Sequence, residues 1–143
     1  MTLFGKIAAL LRLILQSIGI GSYPASGPAP AKEKHLKHGI PQITATELKQ
    51  RLDAGDNPFI LDVREPFEYK IAQIGGTLIP LNELPQRLNE IPKDREIVVH
   101  CKMGGRSQRA AEYLSNAGYP RVLNLSGGIV GWASAIDPSI PTY

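Results

Sequence analysis

One cysteine, Cys101, is the only thiol in 143 residues. That scarcity excludes an intramolecular disulfide framework, and the absence of any Cys-x-x-Cys excludes both a thioredoxin-like redox pair and a cysteine-built zinc site. The reducing cytoplasm is the compartment such usage fits. A Gly-x-x-x-x-Gly-Lys-Ser/Thr stretch is also missing, which argues against a nucleotide-binding P-loop. The most apolar N-terminal segment, residues 3–18, is shorter than the ~20 apolar residues a bilayer span needs, and Arg12 interrupts it.

Charge of one sign is scarce where it would matter for nucleic acid. Residues 1–40 hold Lys6, Arg12, Lys32, Lys34 and Lys37 against Glu33, a net of +4, out of a total of 16 basic and 13 acidic residues. Residues 41–143 therefore keep eleven basic and twelve acidic side chains, and the pI of 9.1 comes from the N-terminal part. A nucleic-acid-binding domain would carry its own basic stripe, so no nucleic-acid partner is expected. Hydrophobic content of 43% with 20% charged residues is that of an ordinary globular chain long enough for one cored domain and an appendage.

Three segments follow from the patterning. Over residues 1–20, Leu3, Phe4, Ile7, Leu10, Leu11, Ile14, Leu15 and Ile18 fall at helical spacing, with Lys6, Arg12 and Gln16 on the other side. This predicts an amphipathic helix that docks on a membrane surface or on a partner protein. Ala29-Pro30-Ala31 has the small-residue character of a signal cleavage site, but Arg12 inside the apolar region argues against secretion. Residues 21–40 are rich in Gly, Pro, Ala and Lys with no apolar period, and are expected to be a flexible linker. His35 and His38 within it lack a third ligand, so a solvated basic stretch is expected rather than a metal site.

Residues 41–143 alternate strand and helix signals. Thr44-Ala45-Thr46-Glu47 has capping-box spacing and predicts a helix from about Ala45 to Ala54, stopped by Gly55. The runs Phe59-Ile60-Leu61-Asp62-Val63, Ile97-Val98-Val99 and Val122-Leu123-Asn124-Leu125 suit strands covered on both faces. Helices are expected around Glu65 to Tyr69, Asn82 to Asn89, and Ser107 to Ala117 before Gly118. The fold class is therefore α/β, an open parallel sheet with helices on both faces. In such sheets sites form beyond the carboxyl ends of the strands.

Cys101 lies at that position. It ends the apolar strand and opens Cys101-Lys102-Met103-Gly104-Gly105-Arg106-Ser107, which runs into a helix. Successive N–H groups and a helix N-terminus make such a loop an anion cradle, and a thiol held in it with Lys102 and Arg106 as neighbours is expected to ionise readily. A buried structural cysteine is the alternative. His100 precedes it on the strand and should face the opposite side of the sheet, in a structural role.

The segment from His100 to Ser107 resembles the active-site loop of rhodanese-type sulfurtransferases, in which the cysteine carries a persulfide sulfur. Leu61-Asp62-Val63-Arg64-Glu65-Pro66 and Asn124-Leu125-Ser126-Gly127-Gly128-Ile129-Val130-Gly131-Trp132 are similar to two further motifs of that family, and the three stand in the family's order. Within it, the strongest likeness is to the C-terminal domain of the adenylyltransferase-sulfurtransferases that supply sulfur for molybdopterin synthesis and tRNA thiolation, carried by the ending from Trp132 to Tyr143. Gln73-Ile74-Gly75-Gly76-Thr77 departs from the family's His-Ile-Pro-Gly-Ala turn, so no role for that histidine carries over.

The resemblance implies a sulfurtransferase with Cys101 as nucleophile. Lys102, Met103, Gly104, Gly105, Arg106 and Ser107 would hold donor and persulfide, with Ser107 also capping the following helix. Asp62 and Arg64 would support the site, as a brace rather than as catalysts. It further implies a small anionic sulfur donor such as thiosulfate or a persulfide-carrying protein, a sulfur-carrier protein as acceptor, and no metal or organic cofactor. Two rivals remain. A phosphatase or arsenate reductase would place its arginine six residues after the cysteine, whereas Arg106 is the fifth. A non-catalytic binding module of the same fold would have little need for Cys101.

Overall fold

A computed structural model describes residues 39–143. The expectations for the helix of residues 3–18, for the linker and for His35 and His38 lie outside the described residues.

Five strands, β1 (Gln42–Ile43), β2 (Phe59–Asp62), β3 (Thr77–Leu78), β4 (Ile97–His100) and β5 (Val122–Leu125), form one sheet in the order β1-β5-β4-β2-β3. Every pairing is parallel. The helices are α1 (Ala45–Asp53), α2 (Pro66–Ile71), α3 (Gly105–Asn116) and α4 (Gly128–Ala135).

Side-chain alternation along the central strands divides the core. Leu61, Val63, Ile97, Val99 and Cys101 pack with Ala110, Ala111 and Leu114 of α3. Val98 and Leu125 pack on the opposite face with Leu48 of α1 and Trp132 of α4. Each central strand is thus covered on both sides, which is why its sequence reads as an almost unbroken apolar run. Truncating a fully buried Leu114 to Ala would cost about 2–5 kcal/mol.

The capping box forms as its spacing predicts: Glu47 N–H donates to Thr44 Oγ1 at 3.2 Å, and Thr44 N–H to the Glu47 carboxylate at 2.8 Å. Other boundaries shift. In place of the helix expected around Asn82 to Asn89 stand two 3-10 segments, Leu81–Gln86 and Leu88–Glu90, because Pro85 lacks the N–H an α-helix would use. Helix α3 begins two residues earlier than expected, with Gly104 as its N-cap at φ 110°. Ser107 therefore does not cap it; it sits inside the first turn with its hydroxyl free to turn toward the loop.

Candidate active site

β4 ends at His100, and the chain turns at once through Cys101 to Gly104 into α3. The turn is bonded from behind: Ile129 N–H donates to the Cys101 carbonyl at 2.9 Å, and Val130 N–H to the Lys102 carbonyl at 3.1 Å. These are the otherwise unpaired N–H groups of the first turn of α4. With its carbonyls held outward, the loop directs its own N–H groups inward. Gly104 N–H reaches Cys101 Sγ at 3.1 Å, the Ser107 hydroxyl lies 3.3 Å from the same sulfur, and the N–H groups of Met103 and Ser107 complete the cradle.

Burial pushes the Cys101 thiol up, since its residue is only 1% exposed. The hydrogen bonds from the Ser107 hydroxyl and from the N–H groups of Ser107, Gly104 and Met103 outweigh that effect and bring it below the ordinary thiol range. The expected cause, cationic neighbours, is corrected in this respect: donors of the loop act directly on the sulfur, while both cations have partners of their own. Arg106 makes a two-pronged ion pair with Glu68, at 2.6 and 2.8 Å. The Lys102 ammonium donates to the Tyr143 carbonyl and lies 4.4 Å from the centre of the Tyr143 ring.

Asp62 and Arg64 are fully buried and joined side-on, with Arg64 Nε 3.0 Å from Oδ1 and Nη2 2.6 Å from Oδ2. The remaining guanidinium protons go to the Ala72 and Glu68 carbonyls and to the Tyr143 hydroxyl. Arg64 thereby fastens the middle and the C-terminal end of α2, from which Glu68 projects to Arg106. His100 lies opposite Asp62 in the β2–β4 register, its Nε2 3.6 Å from Oδ2, too long for a hydrogen bond. Burial lowers its pKa and keeps the ring neutral.

Met103 and Gly105 complete the loop without touching the sulfur through a side chain; Met103 is 70% exposed. Three residues of this constellation carried no expectation. Glu68 stands three residues after Glu65, a helix-start spacing that could have flagged it, and its carboxylate accepts the Glu65 N–H at 2.9 Å. Asn124 is a polar residue in an apolar strand, and a buried amide needs partners. Tyr143 had no local signal, because its partners lie 75 and 79 residues away.

The comparisons agree with this architecture. Residues 44–135 match the family model described as Rhodanese-like domain. A protein named Sulfurtransferase from Allochromatium vinosum is 42% identical over 95 residues, covering 66% of this chain and 89% of its own length. Adenylyltransferase and sulfurtransferase MOCS3 of Arabidopsis thaliana is 32% identical over 119 residues, and this chain spans only 26% of it. The crystal structure of a rhodanese-like domain protein from Staphylococcus aureus superposes with a TM-score of 0.62 at 32% identity, covering 65% of this chain and 91% of that one. Three motifs on one parallel sheet, the thiol cradle they enclose, the family model over residues 44–135 and two relatives matched over about nine-tenths of their length lead to one conclusion: the chain belongs to the rhodanese-like family.

Proposed function

We propose that the protein transfers sulfane sulfur through a persulfide on Cys101. The observation that carries this reading is the convergence of the Gly104 N–H and the Ser107 hydroxyl on one sulfur, at 3.1 and 3.3 Å. Donors gathered around a single atom stabilise a thiolate before reaction and a persulfide anion after it. In the first step the Cys101 thiolate attacks the outer sulfur of thiosulfate. The Sγ–S bond forms as the sulfur–sulfur bond of the donor breaks, and sulfite leaves with the electron pair. In the second step a nucleophile takes the outer sulfur, and Cys101 leaves as the thiolate. No net oxidant or reductant is needed.

Lys102 and Arg106 flank the loop, but Arg106 is paired with Glu68 and Lys102 is held by the Tyr143 carbonyl, so an anionic donor is received chiefly by the N–H groups of the loop. The likeness to proteins named as sulfurtransferases, including one joined to an adenylyltransferase, supports sulfur delivery to a carrier protein as the second step. In this scheme residues 41–143 do the chemistry and residues 1–20 dock the domain, tethered by residues 21–40.

Mass spectrometry of the intact protein after incubation with thiosulfate tests the reading. The wild-type chain should become heavier by one sulfur atom, and cyanide should remove it as thiocyanate. Cys101→Ser should neither gain the sulfur nor turn over. Turnover by that variant at the wild-type rate would exclude the persulfide route.

A further inference from the structure

The Ser107 hydroxyl has one proton and two acceptors within reach. Asn124 Oδ1 is 2.6 Å away and Cys101 Sγ is 3.3 Å away. All three residues are buried. One O–H cannot serve both acceptors fully, and the shorter contact to an amide carbonyl is the stronger one while the sulfur is protonated.

The amide of Asn124 is oriented by its own neighbours. Its Nδ2 donates to Gln42 Oε1 at 2.9 Å and lies 3.3 Å from Gln108 Oε1 and 3.4 Å from the Gly104 carbonyl. Gln42 Nε2 in turn donates to the Ile40 carbonyl at 3.0 Å and to Gln108 Oε1 at 2.9 Å, and Gln108 donates to Glu112. Turning the Asn124 amide over would face its oxygen with three acceptors and present its NH2 to Ser107. The chain of amides therefore fixes the carbonyl toward the serine.

We infer that Asn124 is a positioning residue that holds the Ser107 proton away from Cys101 until the sulfur is anionic, and so sets how readily the thiol ionises. The inference rests on the reading of Cys101 as the reacting nucleophile, but not on any particular donor. When the thiol ionises, Ser107 must give up Asn124 to donate to the sulfur, and the lost contact opposes ionisation. The other charged and titratable groups around the loop have separate anchors. Lys102 is held by Tyr143, Arg106 by Glu68, Asp62 and Arg64 by each other, and His100 lies beside Asp62. They are common to wild type and variants.

A thiol titration tests this, read as thiolate absorbance against pH with Cys101→Ser as the blank; the single cysteine makes the signal unambiguous. Asn124→Leu removes the competing acceptor and should lower the thiol pKa by about one unit, the scale of one hydrogen bond to a charged group. Ser107→Ala should raise it by a similar amount. In the Ser107→Ala background, Asn124→Leu should have no further effect, because its influence passes through the serine. Asn124→Asp keeps an acceptor and should not lower the value. If Asn124→Leu does not fold, Asn124→Ala carries the same expectation. An unchanged or raised pKa in the Asn124→Leu variant, or an equal shift with and without Ser107, overturns the inference. Failure of sulfur loading with a normal titration would instead overturn the sulfur-transfer reading alone.

Discussion

Gly128 lies so close beneath Cys101 that a Cβ on it would stand 2.5 Å from the Cys101 carbonyl oxygen and 2.5 Å from that of Lys102. Both oxygens belong to backbone, so neither can swing aside, and the φ of 57° adds strain for any other residue. The glycine pair that opens α4 is a structural condition for the thiol cradle rather than a simple turn. Gly128→Ala should displace the loop, cut sulfur transfer by about 10²-fold, as misplaced donors do, and cost about 1–3 kcal/mol in stability. Parallel activity and denaturation measurements check this, and full activity in the variant would separate the loop from α4.

The Glu68–Arg106 pair makes stability depend on acid in a defined window. Arg106 holds the Glu68 carboxylate at about 2, against an unfolded value of about 4.3. A carboxylate depressed on folding contributes stability that is complete above the unfolded value and is lost as pH falls through the folded one. Wild-type melting temperature should therefore drop between about pH 4.3 and pH 2 more steeply than that of Glu68→Gln. Parallel pH profiles for the two proteins would show that the pair has no such effect.

How far the sequence revealed the fold depended on which residues make their contacts nearby. The runs at residues 59–62, 97–100 and 122–125 were visible because central parallel strands are apolar throughout. β1 and β3 have two residues each, too few for any period, and α4 was hidden by the glycines that begin it. Cys101 announced itself as a lone thiol before a glycine loop. Glu68 reaches Arg106 across 38 positions, a pairing no local pattern encodes, so the loop's cations looked available to the sulfur when Glu68 and Tyr143 already engage them.

Loop length should decide between sulfur and phosphoryl chemistry. The wild-type protein should transfer sulfur and leave aryl phosphates intact. One glycine inserted between Gly104 and Gly105 should widen the ring of donors, carry the Ser107 hydroxyl off its 3.3 Å contact with the sulfur and reduce transfer by about 10²-fold. Steady hydrolysis of an aryl phosphate by the unaltered chain, without sulfur loading from thiosulfate, would reverse the assignment.

Removal of residues 1–38 tests the proposed division of labour. The remaining domain should keep its melting temperature and its sulfur-transfer rate, and lose any binding to vesicles of anionic lipid that the full chain shows. A large fall in melting temperature would mean that the N-terminal part is required by the domain's own core.

The depth of Cys101 has a consequence for which of two sulfurs reacts. A nucleophile meeting a persulfide can attack the outer atom, which delivers sulfur, or the inner one, which expels hydrosulfide and leaves the protein blocked as a mixed disulfide. Displacement at the inner atom would have to come in line with the S–S bond from the side opposite the outer sulfur, and with Cys101 only 1% exposed and packed in the core that side is closed, while the outer sulfur, about 2.05 Å away, stands on the side from which the donor came. On the proposed persulfide route, burial of the thiol would thus act as a regiochemical filter: the atom to be given away would be the one within reach, and geometry would favour the productive branch without a residue dedicated to selecting it.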